Sequence, residues 1–323
     1  MEAPYQLVVI GAGLLGSRHV QSLKSCRHAC HLYIVDSQQA SLDKTRSIYE
    51  STDVPECRIS QVHYCLDMEN LPPVIDFLLI STGSKPRAAI FKSLASKHTI
   101  KAVLFEKVLF QKETDYPEIA AILREKSIPA WVNCPRRMFP GYRELQPLFA
   151  GKSATMTITG GLWGMACNAI HILDIFSFLT GSKLETVDTS ALDPRMIESK
   201  RPGYQEFTGT LIGHFSNKGT VILHSIDAPV TDAISIVTPE IACYIDESSR
   251  KYWIRTAETD EIHPFPVPYQ SQLTSTVADA ILDGAPCPLP TFAESSALHL
   301  PLIKGLIEFI NLLGIDTDIC PIT

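Results

Sequence analysis

Tyr5-Gln-Leu-Val-Val-Ile10, followed without a gap by Gly11-Ala-Gly-Leu-Leu-Gly16, is the stretch that most restricts what this chain can fold into. A short unbroken apolar run rich in β-branched residues reads as a parallel strand buried on both faces. From Ser17 to Ser25 the pattern reads as a helix. Between the two, Gly11 makes the tight turn, Gly13 lets a pyrophosphate approach the backbone, and Gly16 lets helix and strand pack closely. Leu14 and Leu15 open the helix, so their N–H groups join Gly11, Gly13 and Gly16 as candidate phosphate contacts. His31-Leu-Tyr-Ile-Val-Asp36 reads as a second strand, ending in an acid 20 positions after Gly16. That is where a carboxylate grips the adenosine ribose. A carboxylate also repels a 2′-phosphate, and no arginine follows in Ser37-Gln-Gln-Ala-Ser41, so NAD is expected over NADP.

The alternation continues. Val74–Ser81 is a strand ending at Ser81-Thr82-Gly83, a helix runs from about Pro86 to Ser96, and Ala102–Phe105 is a strand with Glu106-Lys107 at its tip. A helix over Tyr116–Lys126 and a strand over Ala130–Asn133 follow. Open parallel sheets bind ligands at the carboxyl ends of their strands. Residues 81–83, 106–107 and 133–137 are therefore expected to gather round one crevice, with Ser81, Thr82, Gly83, Glu106 and Lys107 touching the cofactor. Arg87 reads either as a cofactor neighbour or as a solvated helix start.

At 323 residues the chain is long for one core. The expected division is a Rossmann domain with a doubly wound parallel sheet over 1–128 and an α+β domain with a mostly antiparallel sheet over 129–323. The last helix, Leu298–Leu313, is free to pack back on the first domain. In the second part, Ala154–Thr159 alternates as a half-exposed strand and breaks at Gly160-Gly161. Gly209–Phe215, Asn217-Lys-Gly219 and Thr220–Ser225 spell a hairpin.

A formal charge of −7 gives no basic footprint for nucleic acid. No apolar run approaches the length of a membrane helix, and Met1-Glu2-Ala3-Pro4 opens no signal peptide. A cytoplasmic protein is expected. The nine cysteines are odd in number and none forms a Cys-x-x-Cys pair. Cys26, Cys30 and His31 read as the end of a helix and a turn rather than as metal ligands, and no metal is expected.

Gly164–Phe176 is apolar in most helical directions, yet Asn168, His171, Asp174 and Ser177 recur every third residue as one polar stripe. Taken alone, a His-x-x-Asp pair reads more readily as a core histidine satisfied by its acid than as a catalytic pair.

Several of these stretches together resemble the glucose–fructose oxidoreductase / inositol dehydrogenase / MocA family over nearly the whole chain. They are Gly11–His19, Glu106-Lys107 at a strand tip, Asn133-Cys-Pro-Arg-Arg-Met-Phe-Pro-Gly-Tyr142, Asn168-Ala-Ile-His171-Ile-Leu-Asp174, and Tyr269–Gly284. The resemblance implies an open sheet face that pairs with another copy, hence a homo-oligomer. It implies that Lys107 touches both the nicotinamide end and the reacting hydroxyl, and that His171 is the catalytic histidine. Asp174 becomes the acid that contacts substrate or orients the site, and Arg137 lines the same crevice. Asn168 suits a polyol or sugar, and Trp163 offers an apolar wall.

Two positions depart from the family pattern. Val108 stands where the family has proline, so a trans Lys107–Val108 bond is expected. Cys167 stands four residues before His171, in place of an aspartate. The expected activity is NAD-dependent hydride transfer to or from a secondary hydroxyl or keto carbon of a carbohydrate. The alternatives are a non-catalytic NAD(P)-sensing regulator of the same fold, and reduction of a double bond, for which His171 and Asp174 would be unnecessary.

Overall fold

The computed structural model describes residues 3–323, which cluster in two compact units. The first comprises the chain up to Phe110 together with Pro117–Pro135 and Pro268–Ala293; the second comprises Gln111–Tyr116, Arg136–Val267 and Glu294–Thr323. Pro268–Ala293, which a division at residue 128 assigns to the second domain, thus belongs with the first. The reason is packing: its helix lies along the helix that follows the glycine loop.

In the first unit six strands form one parallel sheet: β1 (Tyr5–Ile10), β2 (Cys30–Val35), β3 (Ile59–Cys65), β4 (Phe77–Ile80), β5 (Val103–Glu106) and β6 (Ala130–Asn133). Their spatial order is 3-2-1-4-5-6, the doubly wound arrangement. Leu7, Val8, Val9 and the whole of β4 are fully buried, as strands covered on both faces by helices require. Helices α1 (Leu14–Leu23), α2 (Gln39–Ser51) and α3 (Ser84–Lys97) follow β1, β2 and β4. The strand β3 and helix α2 carry weak apolar patterning and were not evident from the sequence.

The second unit holds an eight-stranded sheet built from β7 (Thr155–Gly161), β8 (Leu184–Leu192), β9 (Gly209–Phe215), β10 (Thr220–Ile226), β11 (Val230–Val237), β12 (Ala242–Asp246), β13 (Lys251–Arg255) and β14 (Asp260–Pro264). The order is 8-9-10-7-11-12-13-14, antiparallel throughout except for the parallel pair of β7 and β10. The strand does not break at Gly160-Gly161: β7 runs through both, and glycine serves there because a Cβ would collide with Asp232 or with the Ala228 carbonyl. The helix that follows, α4 (Met165–Thr180), lies against the β9–β10 hairpin. Leu173 fills the space beside Gly213, and Phe176 the space beside Gly219.

Close approach dictates two of the loop glycines differently. A Cβ on Gly16 would sit 1.9 Å from the Gly11 carbonyl oxygen, whereas one on Gly13 would meet nothing within 4 Å. Gly16→Ala is therefore expected to lower stability by about 1–3 kcal/mol in urea denaturation, as overpacking does. Gly13→Ala should stay within about 0.5 kcal/mol of the wild type. Equal losses in the two variants would contradict this account.

Candidate functional site

The candidate residues divide between the units. Gly11–Gly16, Asp36, Ser81–Gly83, Glu106 and Lys107 lie in the first; Arg137, Trp163, Asn168, His171 and Asp174 lie in the second.

In the first unit the glycine loop is braced from beneath. The Thr45 hydroxyl of α2 donates to the Ala12 carbonyl (3.0 Å), and the Ser81 hydroxyl donates to the carbonyl of Gly11 (2.6 Å). Asp36 accepts the N–H of Ala12 at 2.7 Å through one oxygen and that of Gln38 at 2.9 Å through the other. The acid is thus fixed beside the loop by the backbone itself. Gly13 caps α1 with no side-chain hydrogen bond at the helix start, and Leu14 is 77% exposed. Thr82 Oγ1, one strand over, is buried without a hydrogen-bond partner. Open space over Gly13, an uncapped helix start, a fixed carboxylate and an unmatched hydroxyl together fit a dinucleotide.

Lys107 is half-buried at the tip of β5, flanked by two buried clamps. On one side is Glu106. Register pairs it with Asn133 at the tip of β6, whose amide donates to Glu106 Oε1. His19 Nε2 donates to the same oxygen at 2.8 Å. A ring closes through helix α5 (Gln270–Leu282). Asn133 donates to Gln270 Oε1 at 3.0 Å, Gln270 donates to Thr274 Oγ1 at 3.0 Å, and Thr274 meets His19 Nδ1 at 2.8 Å. Burial alone would push the Glu106 carboxyl up. The bond and charge of His19, the charge of Arg87 and the Asn133 amide outweigh it and hold the carboxyl below its ordinary range.

On the other side Arg87, 1% exposed, donates to the carbonyls of Val108, Leu109 and Thr82. It is not a solvated helix start: it clasps two strand-tip loops together. The Lys107–Val108 bond is cis, correcting the trans path expected from the missing proline. That expectation weighed only the local cost of a cis bond. It omitted the tertiary hold on the segment, in which Val108, Leu109 and Phe110 are fully buried and Arg87 grips the carbonyls.

In the second unit α4 carries the polar stripe. Its members serve different ends. The Asn168 amide donates to the Trp163 carbonyl at 2.9 Å, and Ser177 donates to the Ser182 carbonyl at 2.7 Å, so these two close the helix ends. Trp163 is half-buried, with its indole N–H on the His224 carbonyl. Glu206 accepts the Ala166 N–H at 2.8 Å at the helix start, and the Cys167 thiol donates to the Gly164 carbonyl at 3.3 Å. Asp174, fully buried, receives Arg137 through two parallel bonds of 2.9 and 2.8 Å. This two-point pair engages both carboxylate oxygens. His171, 8% exposed, lies one turn earlier. Arg137 is further held by Glu294 and lies over the Phe178 ring.

Sequence reasoning singled out Arg137 and Asp174 separately but not their pairing, and it gave no role to His19, Gln270 or Thr274. The residue after Arg18 is visible beside the glycine motif; its partner at position 274 is not.

No protein-family model and no curated protein sequence matches the chain. Among solved structures the fold is shared with an oxidoreductase from Agrobacterium radiobacter in complex with NAD+, L-tartaric acid and magnesium. That likeness has a TM-score of 0.70 and 14% identity, and covers 93% of this chain and 94% of that one. It is shared also with scyllo-inositol dehydrogenase from Lactobacillus casei with bound NAD(H) and scyllo-inositol (0.65, 14%, 95% and 96%). A third likeness is to the transcriptional regulator Gal80p of Kluyveromyces lactis (0.69, 13%, 96% and 90%). The two-domain fold is therefore one that dehydrogenases and a transcriptional regulator share.

Burial pushes the Asp174 carboxyl up to about 6 against the downward pull of Arg137, with the Glu294 charge adding to the rise. Because the folded value lies above the ordinary 3.8, the folded chain holds the extra proton between the two. The stabilisation is complete below the lower value and is lost as pH rises through the upper one, an effect worth roughly 3 kcal/mol. In urea denaturation from about pH 4 to pH 7, the stability of the wild type should fall relative to that of Asp174→Asn, so that the two slopes differ by this contribution. Superimposable slopes would refute it.

Proposed function

We propose that the chain is an NAD-dependent oxidoreductase that transfers a hydride between nicotinamide C4 and a secondary hydroxyl or keto carbon of a carbohydrate. Membership of the glucose–fructose oxidoreductase / inositol dehydrogenase / MocA family is part of the same reading. The observation that carries it is the loop over Gly11–Gly16 with open space at Gly13, set beside a carboxylate at Asp36 that the loop's own N–H fixes. Relatives in fold that hold NAD with tartaric acid or scyllo-inositol support the substrate class.

On this reading the loop N–H groups and the start of α1 bind the pyrophosphate, and Asp36 takes the ribose hydroxyls and disfavours a 2′-phosphate. The dinucleotide supplies the hydride acceptor or donor. Lys107 Nζ stabilises the developing alkoxide, and His171 accepts the hydroxyl proton at a ring nitrogen. Arg137 and Asp174 act as a unit: with both carboxylate oxygens engaged, Asp174 fixes the Arg137 fork rather than serving as a separate base. Asn168 and Trp163 contribute the polar and apolar parts of the substrate wall.

NADH absorbance over a panel of sugars, polyols and sugar acids tests this. Turnover is expected with at least one. Lys107→Ala should lower kcat about 10²–10³-fold and His171→Ala about 10²–10⁴-fold. Unchanged turnover in either variant would remove that residue from the site. Gly13→Ala should weaken NADH binding at least about tenfold, or roughly 1.4 kcal/mol.

A second reading, a nucleotide-sensing regulator without chemistry, draws on Cys167, because a thiol is a poor partner for an imidazolium. The likeness in fold to Gal80p adds to it. Tight NADH binding with no turnover across the panel would favour it.

We further propose a homo-oligomer through the open face of the eight-stranded sheet. Tyr244, Trp253 and Ile262 are 51%, 43% and 57% exposed and stand side by side in cross-strand register on β12, β13 and β14. An apolar row of this kind on a sheet face marks an interaction surface. Light scattering should give a multiple of the 35.7 kDa chain mass, and Trp253→Lys with Tyr244→Lys should return it to the monomer. A monomeric wild type would overturn the assignment.

A further inference from the structure

We propose that His19 is a positioning residue for Lys107, acting through its hydrogen bond to Glu106; this rests on the reading of Lys107 as the cation at the nicotinamide end. His19 is fully buried, on the helix whose first turn abuts the glycine loop. An apolar side chain would fill that place without needing hydrogen-bond partners. The imidazole instead has both ring nitrogens engaged, Nε2 on Glu106 at 2.8 Å and Nδ1 at Thr274 at 2.8 Å. Glu106 is joined to Lys107 by one peptide bond, so a torsional change at Glu106 redirects Lys107. Asn133 restrains Glu106 from the neighbouring strand, within the sheet. His19 restrains it from outside the sheet, from α1, and so ties the lysine to the helix that carries the dinucleotide loop. Gln270 and Thr274 complete the ring and fix the imidazole plane. With the Nε2 proton on Glu106, seating of the dinucleotide at the loop and the aim of Lys107 become one mechanical problem instead of two.

Asparagine places its amide where Nδ1 stands and glutamine where Nε2 stands, so the two variants separate the two links. His19→Asn keeps the Thr274 contact and loses Glu106; His19→Gln keeps Glu106 and loses Thr274. Trace acetylation with acetic anhydride, quantified by peptide mass spectrometry with and without NADH, reads Lys107 against the exposed Lys97 and Lys304 as internal standards. His19→Asn should change the relative labelling of Lys107 at least about threefold and weaken its protection by NADH, since a misplaced group loses its contacts steeply. His19→Gln should stay close to wild type, and Lys97 and Lys304 should be unaffected. Equal shifts in both variants, or no shift in either, would overturn the proposal and leave His19 a packing residue. If NADH fails to protect Lys107 in the wild type, the reading of Lys107 falls instead, while the Asn–Gln contrast still decides the role of His19. Should His19→Asn not fold, nitrogen NMR of the wild-type imidazole carries the test: a proton on Nε2 supports the link, and an unprotonated Nε2 overturns it.

Discussion

A carboxylate buried at the end of a parallel strand must be hydrogen-bonded or it costs several kcal/mol, and Glu106 is such a group. Its position makes the demand constructive. The acid sits where the strand leaves the sheet, so the groups that satisfy it have to come from the elements converging there. The amide of Asn133 arrives from β6 and the imidazole of His19 from α1, while α5 supplies Gln270 and Thr274 to close the ring. One buried charge thereby binds two strand tips and two helices of the first unit. Pro268–Ala293, far along the chain, is drawn into that unit by the same need together with the packing of α5 on α1.

Electrostatics on the other side of Lys107 follow the same logic with the opposite sign. Arg87 is a buried guanidinium whose acceptors include three backbone carbonyls, at Thr82, Val108 and Leu109. Its charge also reaches Glu106 and helps hold that carboxyl ionised. Lys107 follows Glu106 directly and precedes Val108, so its backbone is restrained on both sides.

What the sequence made legible was whatever depends on neighbours within a dozen positions. β1, the glycine loop and α1 form a contiguous signal, and the hairpin from Gly209 to Ile226 carries its turn residues inside it. Asp36 could be singled out because its distance from the loop is a fixed property of the βαβ unit. His19 and Thr274 are 255 positions apart, and no local rule pairs them. Arg87 misled for a related reason. A basic residue in the first turns of a helix ordinarily faces water, and only the tertiary path of residues 107–109 makes burial favourable. The cis bond at Val108 was hidden likewise, since local energies argue for trans.

The polar stripe of α4 shows how far periodicity alone can go. Recurrence every third residue makes consecutive members of Asn168, His171, Asp174 and Ser177 neighbours, but over nine residues the row winds half-way round the helix, and it does not say that they share a task. Asn168 gives its amide N–H and Ser177 its hydroxyl to finishing the helix ends, and Asp174 is taken up in a two-point pair with Arg137. That pair answers the question of whether Asp174 is spent on the histidine: its oxygens go to the arginine. A buried arginine–carboxylate pair is weak evidence for stability, because desolvation offsets much of the attraction. Its worth lies in geometry, since it fixes a planar fork against the helix that carries His171. Cys167, one turn before His171, turns its thiol onto the Gly164 carbonyl, whereas the turn after His171 carries the paired Asp174.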